Sequence, residues 1–412
     1  MSGFVTRTLP RNEALHILAQ GMGFPWPVGV REGIPIHEAL GLVLGADIIA
    51  PDASPPFDRS LRDGFAVRSV DLIGVSDASP AFLNLRGEVP MGSIPKIRVG
   101  PEEAVQVHTG SALPAGADSI VMLEDTSLAG MLLEVRKPIQ KGENLLLKGE
   151  EFNKGQKLAR KGDILDFRNI SALASCGQVA ATVCDLGVAI ISTGDEIVPA
   201  GVQQIQPGMI RDVNSSIILA NLARAGIGGE FLGIVPDDPK ELKKVFDQAL
   251  EKYDVLVLSG GSSVSARDHS VLLLRELGKG ELIIRGLNIS PGKPTIVSGD
   301  PSRKKLALCL PGHPHSCAII ALTFLVPLIS SLIMGKPLDL FRKMSLPAGE
   351  DIIGKSGVEE FIPLKIGPEG EARPSWAKSG FLLGMGGSDG LIRLPENTET
   401  LRKGSLVEVW LW

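Results

Sequence analysis

Residues 187–196, Gly187-Val188-Ala189-Ile190-Ile191-Ser192-Thr193-Gly194-Asp195-Glu196, decide the fold class. The run GVAIIS is continuously apolar, too short for a helix and without polar alternation. A strand buried on both faces reads this way. Downstream, Ile217, Ile218, Leu222 and Ala223 give helical spacing to 210–225, and Phe231–Val235 reads as a second strand. Asp238-Pro239-Lys240-Glu241 is a capping box with proline at the first helical position, and Leu242, Val245, Phe246, Ala249 and Leu250 line one face behind it. A third strand (254–259), a helix (268–277) and a fourth strand (305–310) follow. Strands alternating with helices predict a doubly wound, mostly parallel α/β sheet.

The next segment, Cys317–Met334, carries 18 residues without a charge. That is the lower edge of membrane-spanning length. Pro327, the Ser330-Ser331 pair and the strand just before it predict instead a buried helix of the α/β domain. Upstream, 1–50 reads as helical, with apolar positions Ala14, Leu15, Ile17 and Leu18, then Ala39, Leu40, Leu42 and Val43. From Pro51 to about Phe167, turn signals recur between short β-favouring runs such as Ala104–His108, Ser119–Leu123 and Leu132–Val135, predicting an inserted β-rich domain. After Gly335-Lys336-Pro337 short strands resume and end in Ser405–Trp412, a small terminal β-barrel or sandwich.

Composition narrows the function. Lys plus Arg number 42 against 47 Asp plus Glu, a net charge of −5 over 412 residues, which argues against a chain built to coat nucleic acid. Aromatics make up 4%, with Tyr253 the one tyrosine, so stacking platforms are not the main chemistry. Cys176, Cys184, Cys309 and Cys317 form no CxxC pair and read as buried, reduced thiols of a cytoplasmic protein. The N-terminus carries charge where a secretory leader needs an apolar run.

In a doubly wound sheet, ligands bind beyond the C-terminal strand ends. Three loops fall there: Thr193-Gly194-Asp195-Glu196; Ser259-Gly260-Gly261-Ser262-Ser263, leading to Asp268; and Leu310-Pro311-Gly312-His313-Pro314, leading to Ser316. Glycines and serines between strand and helix expose peptide N–H groups to an oxyanion. The acids Glu196, Asp237 and Asp268 at matching strand ends would repel that anion unless a hard cation such as Mg²⁺ lay between. Each acid also has a plain reading as a helix cap or solvated loop charge, and Asp268 sits where an N-cap would. Ser290-Pro291-Gly292-Lys293-Pro294-Thr295 presents a lysine on a rigid loop. Two further loops, 55–67 around Asp63 and 108–114 around Thr109, lie outside this sheet. His313-x-His315 is the one close histidine pair.

Together these motifs resemble the molybdopterin molybdenumtransferase family, the bacterial MoeA proteins and the gephyrin E domain. PPFDRSLRDGFAVRSVD, VHTGSALPAGADSIVMLED, KGENLLLKGEEF, ISTGDEIV, VPDDP, LSGGSSVSARD, SPGKP, LPGHPHS and GSDGLIRLPENTE follow in the family's order over nearly the whole chain. The resemblance implies four parts: an elongated helical domain (1–50 and 142–183), an inserted β-domain (51–141), a molybdopterin-binding α/β domain (184–337) and a C-terminal β-domain (338–412). It implies a homodimer with the site between subunits, and insertion of molybdenum from molybdate into adenylylated molybdopterin with Mg²⁺-dependent release of AMP. It also implies traffic with a molybdopterin adenylyltransferase and recipient molybdoenzymes, and neither nucleic acid nor membrane as partner. By the same resemblance, Asp63, Glu196, Asp237 and Asp268 are catalytic. Thr109, Gly260, Gly261, Ser263, Pro291, Gly292, Lys293, Pro294, Gly312, Ser316 and Ser379 bind the cofactor, and Glu196, Asp237, Asp268 and Glu151 hold metal.

The chain departs from the family pattern at the site. Arg59, Leu61-Arg62 and Phe65 replace the usual residues around Asp63, Glu151 stands for an aspartate, and Ser265 for a glycine. Ser290 and Gly286 stand where the family has lysines, and losing two cations weakens anion binding. Arg59, Arg62 and Arg285 are the candidate replacements. These departures leave open a paralogue that carries molybdopterin without inserting metal, and an insertase for tungstate.

Overall fold

The computed structural model describes residues 8–260, 269–279, 283–375 and 383–412. The chain forms two compact units, one of Met1–Ala46, Lys161–Ile170 and Val179–Trp412, the other of Asp47–Arg160 and Ser171–Gln178.

The larger unit is built on a six-stranded sheet in the order Glu230–Val235, Val188–Thr193, Val255–Ser259, Lys305–Leu310, Ile296–Asp300, Ile283–Arg285. The first four run parallel, with Ser192 opposite Ser259 and Ser259 opposite Leu310, so their C-terminal ends are level. Val188–Thr193 and Val255–Ser259 are buried at every position, as their continuous apolar runs require. The expectation of a mostly parallel, doubly wound sheet needs one correction. Ile296–Asp300 turns back antiparallel on Lys305–Leu310, and Ile283–Arg285 is antiparallel to Ile296–Asp300. A connection of four residues cannot make a parallel crossover, whereas it suits a hairpin. Asp300 Oδ1 closes that turn by accepting from the Ser302 and Arg303 amides, and Lys304 takes a positive φ.

The uncharged segment is a core helix. Pro314–Ile320 and Val326–Met334 are α-helical, and Ala321–Leu325 between them is a π-turn. By length and composition it could cross a membrane, yet 94% of its apolar window is buried within the protein. Phe324, Leu325 and Leu328 pack with Ile190, Val257 and Leu308 of the sheet. Pro327 explains the π-turn, since it has no N–H to return to the Thr323 carbonyl. That carbonyl instead accepts from Arg11 Nη1 at 3.1 Å.

The N-terminal segment is helical over Arg11–Gly21, where Ala14 and Leu18 are buried. Its second half corrects the helical reading of 1–50. Gly29–Pro35 is a strand paired antiparallel with Ala180–Asp185, and 36–38 and 40–41 form turns.

The C-terminal strands form a sheet in the order Ile289–Ser290, Glu359–Ile366, Gly390–Leu394, Leu406–Leu411, Arg342–Pro347, with Ala372–Pro374 beside Glu359–Ile366. Among the described residues this path is open at both edges, so the expected barrel is an open sheet. One edge strand, Ile289–Ser290, is contributed by the segment before the SPGKP loop and pairs parallel with Glu359–Glu360. Glu359 is buried here between two arginines: Arg11 Nε lies 2.9 Å from Oε2 and Arg393 Nε 2.6 Å from Oε1. Arg393 continues to Glu408 at 2.6 Å, whose other oxygen accepts from Trp410 Nε1. Burial pushes the Glu359 carboxyl up, but the two guanidinium groups outweigh it and hold the group below the usual carboxylate range.

The smaller unit carries a second six-stranded sheet, ordered Ser119–Met122, Gly64–Val67, Glu103–Val107, Ala81–Glu88, Leu132–Val135, Thr126–Ala129. Phe65, Val67, Leu83, Ala104, Val121, Leu133 and Val135 make its core.

Candidate functional site

In the larger unit the level ends of the central strands bring three predicted loops together. Gly260 has φ +102°, and a Cβ there would lie 2.5 Å from the Thr193 carbonyl, so only glycine lets the two strand ends touch. Thr193 Oγ1 donates to the Ser259 carbonyl at 3.4 Å. A Cβ on Gly312 would in turn lie 3.8 Å from Gly260 Cα. Thr193, Gly260 and Gly312 are thus neighbours, as the motif reading expects.

The clamp that holds them was not legible. Asn214 Nδ2 donates both to Ser259 Oγ at 2.7 Å and to the Gly312 carbonyl at 2.8 Å, tying the second loop to the third. Asp212 accepts from Ser192 Oγ at 2.9 Å and from the Ser215 amide at 3.2 Å in the first turn of the helix Asn214–Arg224. The sequence reading ran that helix back to 210. The available signal was Asp212 three residues before Ser215, an N-cap spacing. Asn214 Oδ1 is buried and has no hydrogen-bond partner among the described residues.

Acids flank this cradle. Val235 pairs with Thr193, and beyond that pair Asp195 Oδ1 accepts from the Asp237 amide at 3.1 Å. Glu196 folds back over Gly194, where a Cβ would meet its Oε2 at 2.8 Å. Glu196 and Asp237 are both exposed on adjacent strand ends. Gly261, Ser263, Asp268 and Ser379 lie outside the described residues. Among the described residues no three His, Cys, Asp or Glu side chains gather into a metal-holding group.

The loop after Ser290 is fixed from behind. Gly292 has φ +126°, and a Cβ there would come 2.5 Å from Ile320 Cδ1, so its backbone packs directly on the core helix. Thr295 Oγ1 donates to the Gly292 carbonyl at 2.7 Å, and Lys293 and Pro294 point to solvent. Ser316 is buried in the first turn of the core helix.

In the smaller unit Asp63 and Thr109 do meet: Asp63 Oδ1 accepts from the Thr109 amide at 2.8 Å. The next residue, Gly64, is pressed on the neighbouring strand, where a Cβ would strike the Val121 carbonyl at 1.9 Å. His108 stands between two acids, with Nε2 at 2.6 Å from Glu88 Oε1 and Nδ1 at 3.7 Å from Asp63 Oδ1. Glu151 is engaged elsewhere, accepting from Ser54 Oγ at 2.7 Å.

Comparison with known proteins settles the family. The model of the MoeA N-terminal region (domain I and II) matches 9–177, that of the "Probable molybdopterin binding domain" 189–331, and that of the MoeA C-terminal region (domain IV) 345–412. The molybdopterin molybdenumtransferase of Synechococcus elongatus is 30% identical over 385 residues, covering 92% of this chain and 94% of the relative. The chain belongs to the molybdopterin molybdenumtransferase family. Crystal structures of molybdopterin biosynthesis MoeA proteins from Pyrococcus horikoshii superpose with TM-scores of 0.80 and 0.83 at 33% and 27% identity. Each spans 98% of this chain, and 99% and 100% of the solved chains are covered. As a molybdopterin molybdenumtransferase, the protein is a transferase of molybdenum cofactor biosynthesis.

Proposed function

We propose that this transferase inserts molybdenum from molybdate into adenylylated molybdopterin and releases AMP in a Mg²⁺-dependent step. The observation that carries the reading is the meeting of Thr193, Gly260 and Gly312 at the level C-terminal ends of the parallel strands, where an open α/β sheet binds its ligands. Lys293 on the 290–294 loop adds positive charge for the pterin phosphate. Glu196 and Asp237 are hard oxygen donors on neighbouring strand ends and fit Mg²⁺, which takes one or two carboxylates and completes its shell with water and substrate phosphates. When bound there, Mg²⁺ supplies Lewis-acid polarisation of the phosphoanhydride. The chain's own part is positioning, because the dithiolene of the substrate provides the soft sulfur ligands for molybdenum.

The reading carries with it the four-part division of the chain, a cytoplasmic homodimer and a site completed across subunits by Asp63 and Thr109. It also assigns Gly261, Ser263, Asp268, Ser316 and Ser379 to the same pocket and Glu151 to metal. Substrate would arrive from an adenylyltransferase and product pass to a molybdoenzyme. The test is AMP release from adenylylated molybdopterin, measured with and without Mg²⁺ and molybdate. Release should require both, and a folded protein that binds the nucleotide yet never frees AMP rules the reading out.

A further inference from the structure

We propose that Lys355 is an oxyanion-binding residue of the Ser290–Pro294 loop. Nothing in the local sequence of that loop announces it, since Lys355 arrives from the C-terminal sheet. The strand Ile289–Ser290 pairs parallel with Glu359–Glu360, and this pairing sets the loop's first residue beside the turn that carries Lys355. There Lys355 Nζ donates to Ser290 Oγ at 3.0 Å.

Two features make this more than an ion pair on a surface. Lys355 is also bonded to Glu360, through Nζ to Oε1 at 2.7 Å and through its backbone N–H to Oε2 at 2.8 Å. The carboxylate is 7% exposed while the lysine side chain is 66% exposed. The buried acid therefore fixes the ammonium in place without enclosing it, and one of its three N–H donors remains for a ligand. Second, Ser290 Oγ uses a lone pair to accept from Lys355, which turns its own hydroxyl proton outward as another donor. Lys293, three residues on, is exposed and has no ion-pair partner among the described residues. The Lys355 ammonium beside the loop, together with the polarised Ser290 hydroxyl and the Lys293 ammonium on it, suits a tetrahedral oxyanion, either molybdate or a substrate phosphate. Of the three candidates for replacing the lost cations, Arg59 and Arg62 lie in the smaller unit, and Arg285 ends the strand Ile283–Arg285 of the larger one.

This inference rests on the insertase reading for its ligand, and the experiment separates the two. Titration calorimetry of the full-length protein uses sodium molybdate in one arm and inorganic pyrophosphate in the other. Lys355→Ala should weaken whichever oxyanion occupies the loop by about tenfold to a hundredfold. Lys355→Arg should largely retain binding, and Ser290→Lys placed in the Lys355→Ala background should restore it. Glu360→Gln removes the opposing charge and should tighten binding, whereas a merely structural Lys355–Glu360 pair makes both losses act in the same direction. The responding arm identifies the anion. Lys355→Ala within twofold of the unmodified protein in both arms, or no oxyanion binding at all, overturns the proposal. If AMP release is intact while Lys355→Ala changes nothing, this inference alone fails. Absent AMP release together with Lys355-dependent oxyanion binding sinks the insertase reading and keeps this one.

Discussion

Glu359 shows how much one carboxylate can hold. Replacing it with glutamine leaves Arg11, whose side chain is 8% exposed, as a buried charge without its counter-ion. Glu359→Gln should cost about 3–5 kcal/mol in chemical denaturation at pH 7. The sign with pH follows from the depressed carboxyl. Its contribution is complete above the unfolded value of about 4.3 and is lost as pH falls through the folded one, so wild type and variant should converge in acid. Gly260→Ala tests the contact with Thr193. A positive φ and a Cβ 2.5 Å from a carbonyl force the strand ends apart, and loss of pterin binding should exceed the loss of melting temperature. At this scale the glycines were legible, because close backbone approaches leave a composition signature, whereas Asp63 and Thr109 were named through the family resemblance and their contact was not foreseen. Asn214 and Lys355 left none: each acts on a partner brought near only by the tertiary fold.

Elements whose causes are local were legible. Asp238 does accept from the Lys240 and Glu241 amides at 2.9 Å each, and the helix Pro239–Lys252 follows. Asp238→Ala should lower stability by about 1 kcal/mol in thermal melts and leave ligand affinity unchanged if Asp238 only caps. The strand Lys305–Leu310 and the capped helix declared themselves through continuous hydrophobicity and a capping box. By contrast, Gly29–Pro35 shows no buried face of its own, with five of its seven residues exposed, and exists because Ala180–Asp185 pairs with it. Reading that region as helix was reasonable by periodicity and wrong by topology. Ile296–Asp300 escaped for a similar reason: a serine, a glycine and an aspartate in five residues hide a strand that the fold buries completely.

For the whole molecule, ligand binding should appear as stability. Molybdopterin at a hundred times its Kd should raise unfolding free energy by about 2.7 kcal/mol, and a melt unmoved at saturation would count against the pocket. The order of family motifs along the chain was readable over nearly its full length, whereas the grouping of those motifs into compact bodies was not, since contacts between distant stretches decide it. The salt link from Arg11 to Glu359 has an engineering corollary. Helix one and the last sheet form a single electrostatic unit although they sit at opposite ends of the polypeptide. Chimeras that exchange only the tail with a distant homologue would strand a cation in the interior, so a viable graft has to transplant both ends together.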